Sequence, residues 1–152
     1  MTKKRNIVLF FLTLFLASIV FSQELEKKAP INFTIISIKA SNSDKEKVTK
    51  KVDQDILNIL KSLYKFNSYE EINRKNIRIL EGEKGSASLP NSLSFEIEAK
   101  SEKNTINAKI IIKDKDDQEL LNTNIEMQRG KKIILGGWSL NGDTMIVVIK
   151  AS

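Results

Sequence analysis

The chain has 152 residues, with 25 basic and 19 acidic side chains, and it contains neither cysteine nor histidine. The absence of these two residue types excludes disulfides, thiol nucleophiles, imidazole-based catalytic triads and Cys/His zinc sites. The formal net charge is +6, but basic and acidic residues are interspersed, which is typical of a solvated surface and argues against nucleic acid as a partner.

The N-terminal 22 residues have the pattern of a secretory signal peptide. Residues 3–5 are basic and precede an apolar run, residues 7–21, which is too short for a comfortable membrane span. Ser22 is a small residue directly before a plausible cleavage point at Gln23. Cleavage there predicts a periplasmic or secreted protein with no membrane span and a net charge of about +3. The alternative is an uncleaved N-terminal anchor.

Residues 23–30 are charged and end in proline, which predicts a short flexible lead-in to a single domain, residues 31–152. Residues 31–40 are the first predicted strand. Apolar side chains alternate in one phase up to Ile35 and in the opposite phase from Ile36 onwards. This change of phase indicates either a bulge or a strand covered on both faces.

One helix is predicted from Ser43 to about Tyr64. Ser43 and Glu46 have the spacing of a capping box. Apolar residues then recur at spacings of three and four and form one stripe, which is typical of a helix face buried against a sheet. The stripe consists of Val48, Val52, Ile56, Ile59, Leu60 and Leu63.

Beyond the helix, alternating apolar and polar residues predict only strands separated by short turns. The clearest hairpin is the last one, where Asn141-Gly142 separates two apolar runs; this dipeptide tolerates the positive φ angles of a tight turn. Both faces of the final run, from Met145 to Ile149, are apolar, as in a central strand covered on two sides. The predicted fold class is therefore α+β, with one amphipathic helix packed on an antiparallel β-meander of about six to eight strands.

The order of turn and core residues resembles that of a group of small exported bacterial proteins of unknown function. The resemblance spans most of the mature chain and implies a shared fold and export, without implying any chemistry. Separately, Gly130-Lys131 and Leu135-Gly136-Gly137 resemble motifs of a strand pair of outer-membrane secretins, in a match that covers about twenty residues of the C-terminal hairpin region. The first resemblance is carried by Leu63-Tyr64, Tyr69, Leu89-Pro90-Asn91, Leu120-Leu121-Asn122 and Gly136-Gly137 before a strand ending at Ala151.

Two functional hypotheses follow. Ser62 and Lys65 have the Ser-x-x-Lys spacing of serine acyl-enzymes, and Glu96 and Glu98 are candidate paired carboxylates, so one hypothesis is a small hydrolase. Because no complete catalytic motif accompanies them, the sequence favours the other hypothesis. This second hypothesis is an exported, non-enzymatic envelope or secreted protein that binds a macromolecule or supports an assembly. Its partner would be an unknown protein or envelope component.

No catalytic residue, cofactor or metal site is predicted. Asp114, Asp116 and Asp117 form an acidic turn, but Glu119 stands where a calcium-binding EF-hand loop requires glycine, so an exposed charged turn is expected. Trp138, the only tryptophan, follows two glycines. We predict that it caps the open end of the core. The alternative is that Trp138 contacts a partner, since tryptophan is enriched among interface hot spots.

Overall fold

The computed structural model describes residues 29–42 and 52–152, which form eight strands and one short helix. The predicted signal peptide and the capping box at Ser43 lie outside the described residues. The strands are β1 (Pro30–Ser41), β2 (Ser68–Leu80), β3 (Lys84–Ser88), β4 (Ser94–Glu102), β5 (Thr105–Lys113), β6 (Glu119–Gln128), β7 (Lys132–Leu140) and β8 (Asp143–Ala151), and the helix is α1 (Gln54–Leu63).

The strands form two four-stranded antiparallel sheets. Sheet 1 has the order β2-β1-β8-β7, and sheet 2 has the order β3-β4-β5-β6. The antiparallel strands and, among the described residues, a single helix are as predicted, but the prediction of one continuous meander is wrong. Only sheet 2 follows chain order; in sheet 1 the N-terminal β1 pairs with the C-terminal β8. Pro30 already belongs to β1, so the strand includes the last residue of the predicted lead-in.

The two sheets pack face to face over a shared apolar core. Phe33 from β1 and Val147 from β8 meet Phe95 from β4 and Ile110 from β5, and each of these side chains is at most 1% exposed. Full burial of one such side chain contributes about 1.5–3 kcal/mol. The inter-sheet core therefore fixes how the two sheets are placed relative to each other.

β8 is a central strand covered on both faces, as its sequence predicts. Met145 faces the inter-sheet core, whereas Ile146 faces the helix side of sheet 1, and both are fully buried. β1 is also covered on both faces: Ile35 faces the inter-sheet core and Ile36 faces the helix side of sheet 1. This explains why the apolar phase changes after Ile35. A register shift also occurs between Ser37 and Ile38, where β2 carries one extra residue.

The predicted turns are confirmed at the two clearest positions. Asn141 and Gly142 have φ angles of 49° and 90° and form a two-residue turn between paired Leu140 and Asp143. Positive φ at both central residues is the signature of the type I′ hairpin. The turn that follows Pro90 likewise contains positive φ angles, at Asn91 and Ser92.

Helix α1 packs on the outer face of sheet 1 and is shorter than predicted. It begins at Gln54 because the preceding Asp53 is extended, with φ −55° and ψ 136°, so no unbroken helix runs from Ser43 to Tyr64. Ile56 and Leu60 are buried as predicted, together with Leu57.

The prediction that Ile59 and Leu63 belong to the buried stripe is wrong, since they are 41% and 61% exposed. Side chains advance by about 100° per residue around a helix, so Leu57 and Ile59 point roughly 160° apart, and burying one exposes the other. Leu63 is the last helical residue, and the chain is extended at Tyr64. The sheet therefore covers a face that is rotated towards Leu57.

Tyr69 of β2 holds the C-terminal end of α1. Its single hydroxyl proton is shared between the carbonyl oxygens of Leu60 and Tyr64, which lie 3.3 and 3.2 Å from the hydroxyl oxygen. The Tyr69 ring packs edge-on against Phe66, with 6.3 Å between ring centroids. The side chain is buried, and this burial raises the pKa of the Tyr69 hydroxyl above its ordinary value, with a smaller opposing effect from the backbone of Phe66.

We predict a loss of stability at alkaline pH that depends on Tyr69. Because the pKa is raised in the folded state, the contribution of Tyr69 is complete below pH of about 10 and is lost as the pH rises through the raised value. Urea unfolding at a series of pH values should show this extra loss in the wild type and not in Tyr69→Phe. At neutral pH, Tyr69→Phe should cost about 1 kcal/mol, the net value of a hydrogen bond. Parallel alkaline profiles of the two proteins would contradict the prediction.

Candidate binding surface on sheet 2

The two outer faces of the sandwich differ. Helix α1 packs on the outer face of sheet 1, whereas no element within residues 29–42 and 52–152 packs on that of sheet 2. The outer face of sheet 2 has a concavity of about 440 Å³ towards the β4–β5 hairpin, where β4, β5 and β6 lie side by side. Ala99 and Ala108, paired across β4 and β5, are among its lining residues. We define the surface around this concavity as the candidate binding surface.

Six polar side chains surround the concavity in two cross-strand rows. In the first row, Glu98 is paired with Lys109, which is paired with Asn124; the second row is Lys100, Asn107 and Glu126. Directly opposite residues in an antiparallel sheet have Cβ atoms about 5 Å apart, so each row is a compact set of hydrogen-bonding groups. Two carboxylates, two ammonium groups and two amides make the surface neutral overall.

The four charged side chains around the concavity make no ion pair within 4.0 Å to any described residue. At the other end of the same face, by contrast, Lys113 pairs with Glu96 at 3.4 Å and with Asp117 at 3.2 Å. The carboxylate of Asp117, assisted by that of Glu96, holds the pKa of Lys113 above its ordinary value. The charged side chains beside the β5–β6 turn are thus paired with each other, whereas those around the concavity are available to bind a ligand.

The chemistry offered by the candidate binding surface is multiple hydrogen bonding. Amides donate and accept, carboxylates accept, and ammonium groups donate, so the surface can bind a polar ligand that itself carries both donors and acceptors. Pairing of the three strands fixes the backbone at all six positions, so the entropy lost on binding comes from ordering the side chains and not the backbone.

The structure does not bring the predicted Ser/Lys pair together on a helix. Ser62 is exposed, and its hydroxyl group donates to the carbonyl oxygen of Ile59 at 2.7 Å. Lys65 lies beyond the end of α1, so the two residues do not share a helical face. Glu96 and Glu98 both lie on the outer face of sheet 2, as their alternation predicts.

The acidic turn between β5 and β6 is organised by its own backbone. The Oδ1 atom of Asp114 accepts hydrogen bonds from the N–H groups of Asp116 and Gln118, at 2.9 and 3.0 Å. Asp117, with φ 63°, pairs with Lys113 instead. Among the residues that the structure describes, no cluster of three or more potential ligands is placed to hold a metal ion.

Trp138 lies on β7, paired with Met145, and is not part of the candidate binding surface. It is half-buried and packs against the inter-sheet core at the edge of sheet 1. The register of β7 shifts between Leu135 and Gly137, so Gly136 is an extra residue that bends the strand just before Trp138. This position fits a cap of the core, and the role of Trp138 in partner binding stays a prediction.

Protein-family models, curated proteins and solved structures give no match to this chain. The resemblance to small exported bacterial proteins therefore stays a prediction. Within the described ranges, no helix is long and apolar enough to cross a membrane. The candidate binding surface was missed by the sequence analysis, apart from Glu98, because its residues come from three strands whose alignment is not visible in local alternation.

Proposed function

We propose that this chain is an exported, non-enzymatic envelope or secreted protein that binds a macromolecule through the candidate binding surface. The observation that carries the proposal is the pair of cross-strand rows, whose charged side chains are left without ion pairs by the described structure. The neutral balance of the rows favours a polar protein segment or envelope component over nucleic acid, which requires a cluster of basic side chains. Export rests on the N-terminal signal-peptide pattern.

A charge exchange within the first row tests the binding surface. Glu98→Lys combined with Lys109→Glu keeps the net charge but reverses the polarity of the row. We expect the amount of protein retained on envelopes isolated from the native host to fall at least about tenfold, while the free energy of unfolding stays within about 0.5 kcal/mol, as for ordinary surface substitutions. The matched control is Lys75→Glu with Glu83→Lys, two exposed residues outside the surface. Equal retention of the exchanged protein and the wild type would contradict the assignment of the surface.

Export is tested separately by mass spectrometry of the protein recovered from its native host. We expect a chain that begins near Gln23, because signal peptidase cleaves after a small residue such as Ser22. A cytoplasmic protein that retains Met1 would show that the N-terminal segment is not a signal peptide.

A further inference from the structure

β6 is a free edge strand whose residues 121–128 lack the protective features of the other three edges; its one register shift lies near its start, at Leu120. β2 has a register shift and carries Arg74, Lys75 and Arg78; β3 is only five residues long; and β7 starts with a lysine and has a bulge. β6 has ten residues with no lysine, arginine, proline or glycine, and its register with β5 is continuous from Gln128 to Leu121. Edge strands without such features are templates for pairing with another strand.

The even-numbered residues of β6 direct their backbone groups away from β5. The N–H group of Arg129 donates to the carbonyl oxygen of Asn104 at 3.1 Å, which continues the β5–β6 register. In an antiparallel ladder, the residues that bond to one neighbour alternate with residues that face the other side. Asn122, Asn124 and Glu126 therefore present N–H and C=O groups along the open edge. The only described hydrogen bond to one of these groups is from the Thr123 hydroxyl to the Asn124 carbonyl oxygen, at a long 3.4 Å.

The side of the sandwich next to this edge is also incompletely covered. Leu121 and Ile125 of β6, and Ile133, Trp138 and Leu140 of β7, all pack against the inter-sheet core but remain half-buried. On the opposite side, Ile72, Ile77 and Ala87 are also half-buried. There, however, β2 and β3 are in close contact, since a Cβ atom at Gly85 would lie only 2.5 Å from Ile79 and 2.7 Å from Ile77. The β6/β7 side thus combines unpaired backbone groups with accessible apolar side chains.

We propose that a second copy of this chain covers the β6/β7 side, with the two β6 strands paired antiparallel about a two-fold axis at Thr123. This register joins edge-facing residues to each other, because Asn122 meets Asn124 of the other copy. On the inner face, Leu121 meets Ile125, so apolar side chains meet apolar ones. No like charges are opposed. The alternation of inner and outer side chains and the alternation of hydrogen-bonding residues both continue across the axis.

The dimer contains one continuous eight-stranded sheet in place of two separate copies of sheet 2. Half-buried Trp138 and its neighbours on β7 become covered by the second copy. Because Asn124 and Glu126 line the concavity, the two candidate binding surfaces come to lie side by side across the axis. The inference goes beyond the proposed function and does not depend on it, since its test measures the mass of the particle and not ligand binding.

The test is the solution mass of the purified protein by light scattering at about 50 μM, with variants that place like charges opposite each other. Asn122→Lys combined with Asn124→Lys opposes lysines at both Asn122–Asn124 contacts, and Asn122→Asp combined with Asn124→Asp opposes aspartates. We expect twice the monomer mass for the wild type and a dissociation constant raised at least about tenfold in each double variant. Both positions are exposed, so both variants should keep the wild-type circular dichroism spectrum.

Mixing the lysine and aspartate variants should restore the dimer, because each lysine then faces an aspartate. This rescue shows direct contact between the two β6 strands, since a general loss of folding is not repaired by mixing. Ser86→Lys combined with Ser88→Lys, at the opposite edge of the same sheet, is the matched control and should remain dimeric. A monomeric or higher-order wild type, unchanged mass in the double variants, or failure of the mixture to dimerise would overturn the proposal.

Discussion

Replacing Ile56 by aspartate is expected to lower the free energy of unfolding by about 3–5 kcal/mol, a large part of the stability of an ordinary domain. Ile56 is 1% exposed and packs in the cluster that joins α1 to sheet 1. A carboxylate at this position loses its water shell, and the apolar side chains around it, such as Ile38 and Val148, offer no compensating partner. The effect should appear as a lower urea midpoint, with detachment of α1 or loss of the whole fold.

Ile59→Asp is the matched control for this prediction. The apolar stripe in the sequence places Ile59 beside Ile56, whereas the structure leaves it 41% exposed. We expect Ile59→Asp to change the free energy of unfolding by no more than about 1 kcal/mol. Equal effects of the two substitutions would show that the helix packs as the stripe predicts, and an unchanged midpoint for Ile56→Asp would show that α1 does not pack on the sheet.

Trp138→Ala is expected to cost about 3 kcal/mol, the lower end of the range for a buried aromatic side chain, because Trp138 is half-buried. The loss comes from its packing against the inter-sheet core, beside Leu140 and Met145. Thermal unfolding of Trp138→Ala in the Asn122→Lys, Asn124→Lys background separates this packing from dimerisation. The fluorescence maximum of Trp138 should be blue-shifted relative to that of the unfolded chain.

Leu120→Ala in the same background provides the comparison, since Leu120 is 44% exposed on β6 and should change stability by about 0.5 kcal/mol or less. The alternative role for Trp138 predicts the opposite pattern. If it were solely a partner anchor, Trp138→Ala would leave the melting temperature unchanged and weaken binding by about 2 kcal/mol or more. A red-shifted emission maximum would point in the same direction.

The strands and turns could be predicted from the sequence because their signals are local. Asn141-Gly142 predicts its hairpin because few other dipeptides adopt positive φ at both positions. The two apolar faces of residues 145–149 predict a central strand, because a strand edge or a solvated face would require polar side chains. The helix was predicted in kind but not in extent, since an apolar stripe does not show that Asp53 is extended.

The acidic turn shows the limit of reading ligands from composition. Four acidic residues from Asp114 to Glu119 could gather calcium by composition, although the sequence favours an exposed turn; in the structure the N–H groups of Asp116 and Gln118 bond to one carboxylate oxygen of Asp114. Only the backbone conformation decides whether such oxygens converge on an ion or bond to their own turn. The Ser62–Lys65 spacing fails for a related reason, since α1 ends between the two residues.

The sequence by itself determined the strand-rich character, the main turns and the two covered faces of β8, because each depends on neighbours within a few residues; export stays a prediction. Only the tertiary structure decided the division into two sheets and the pairing of β1 with β8, which joins residues more than one hundred positions apart in the chain. It also decided the position of the concavity and the free edge at β6. These features depend on which strands lie side by side, and alternation within a strand carries no information about its neighbours.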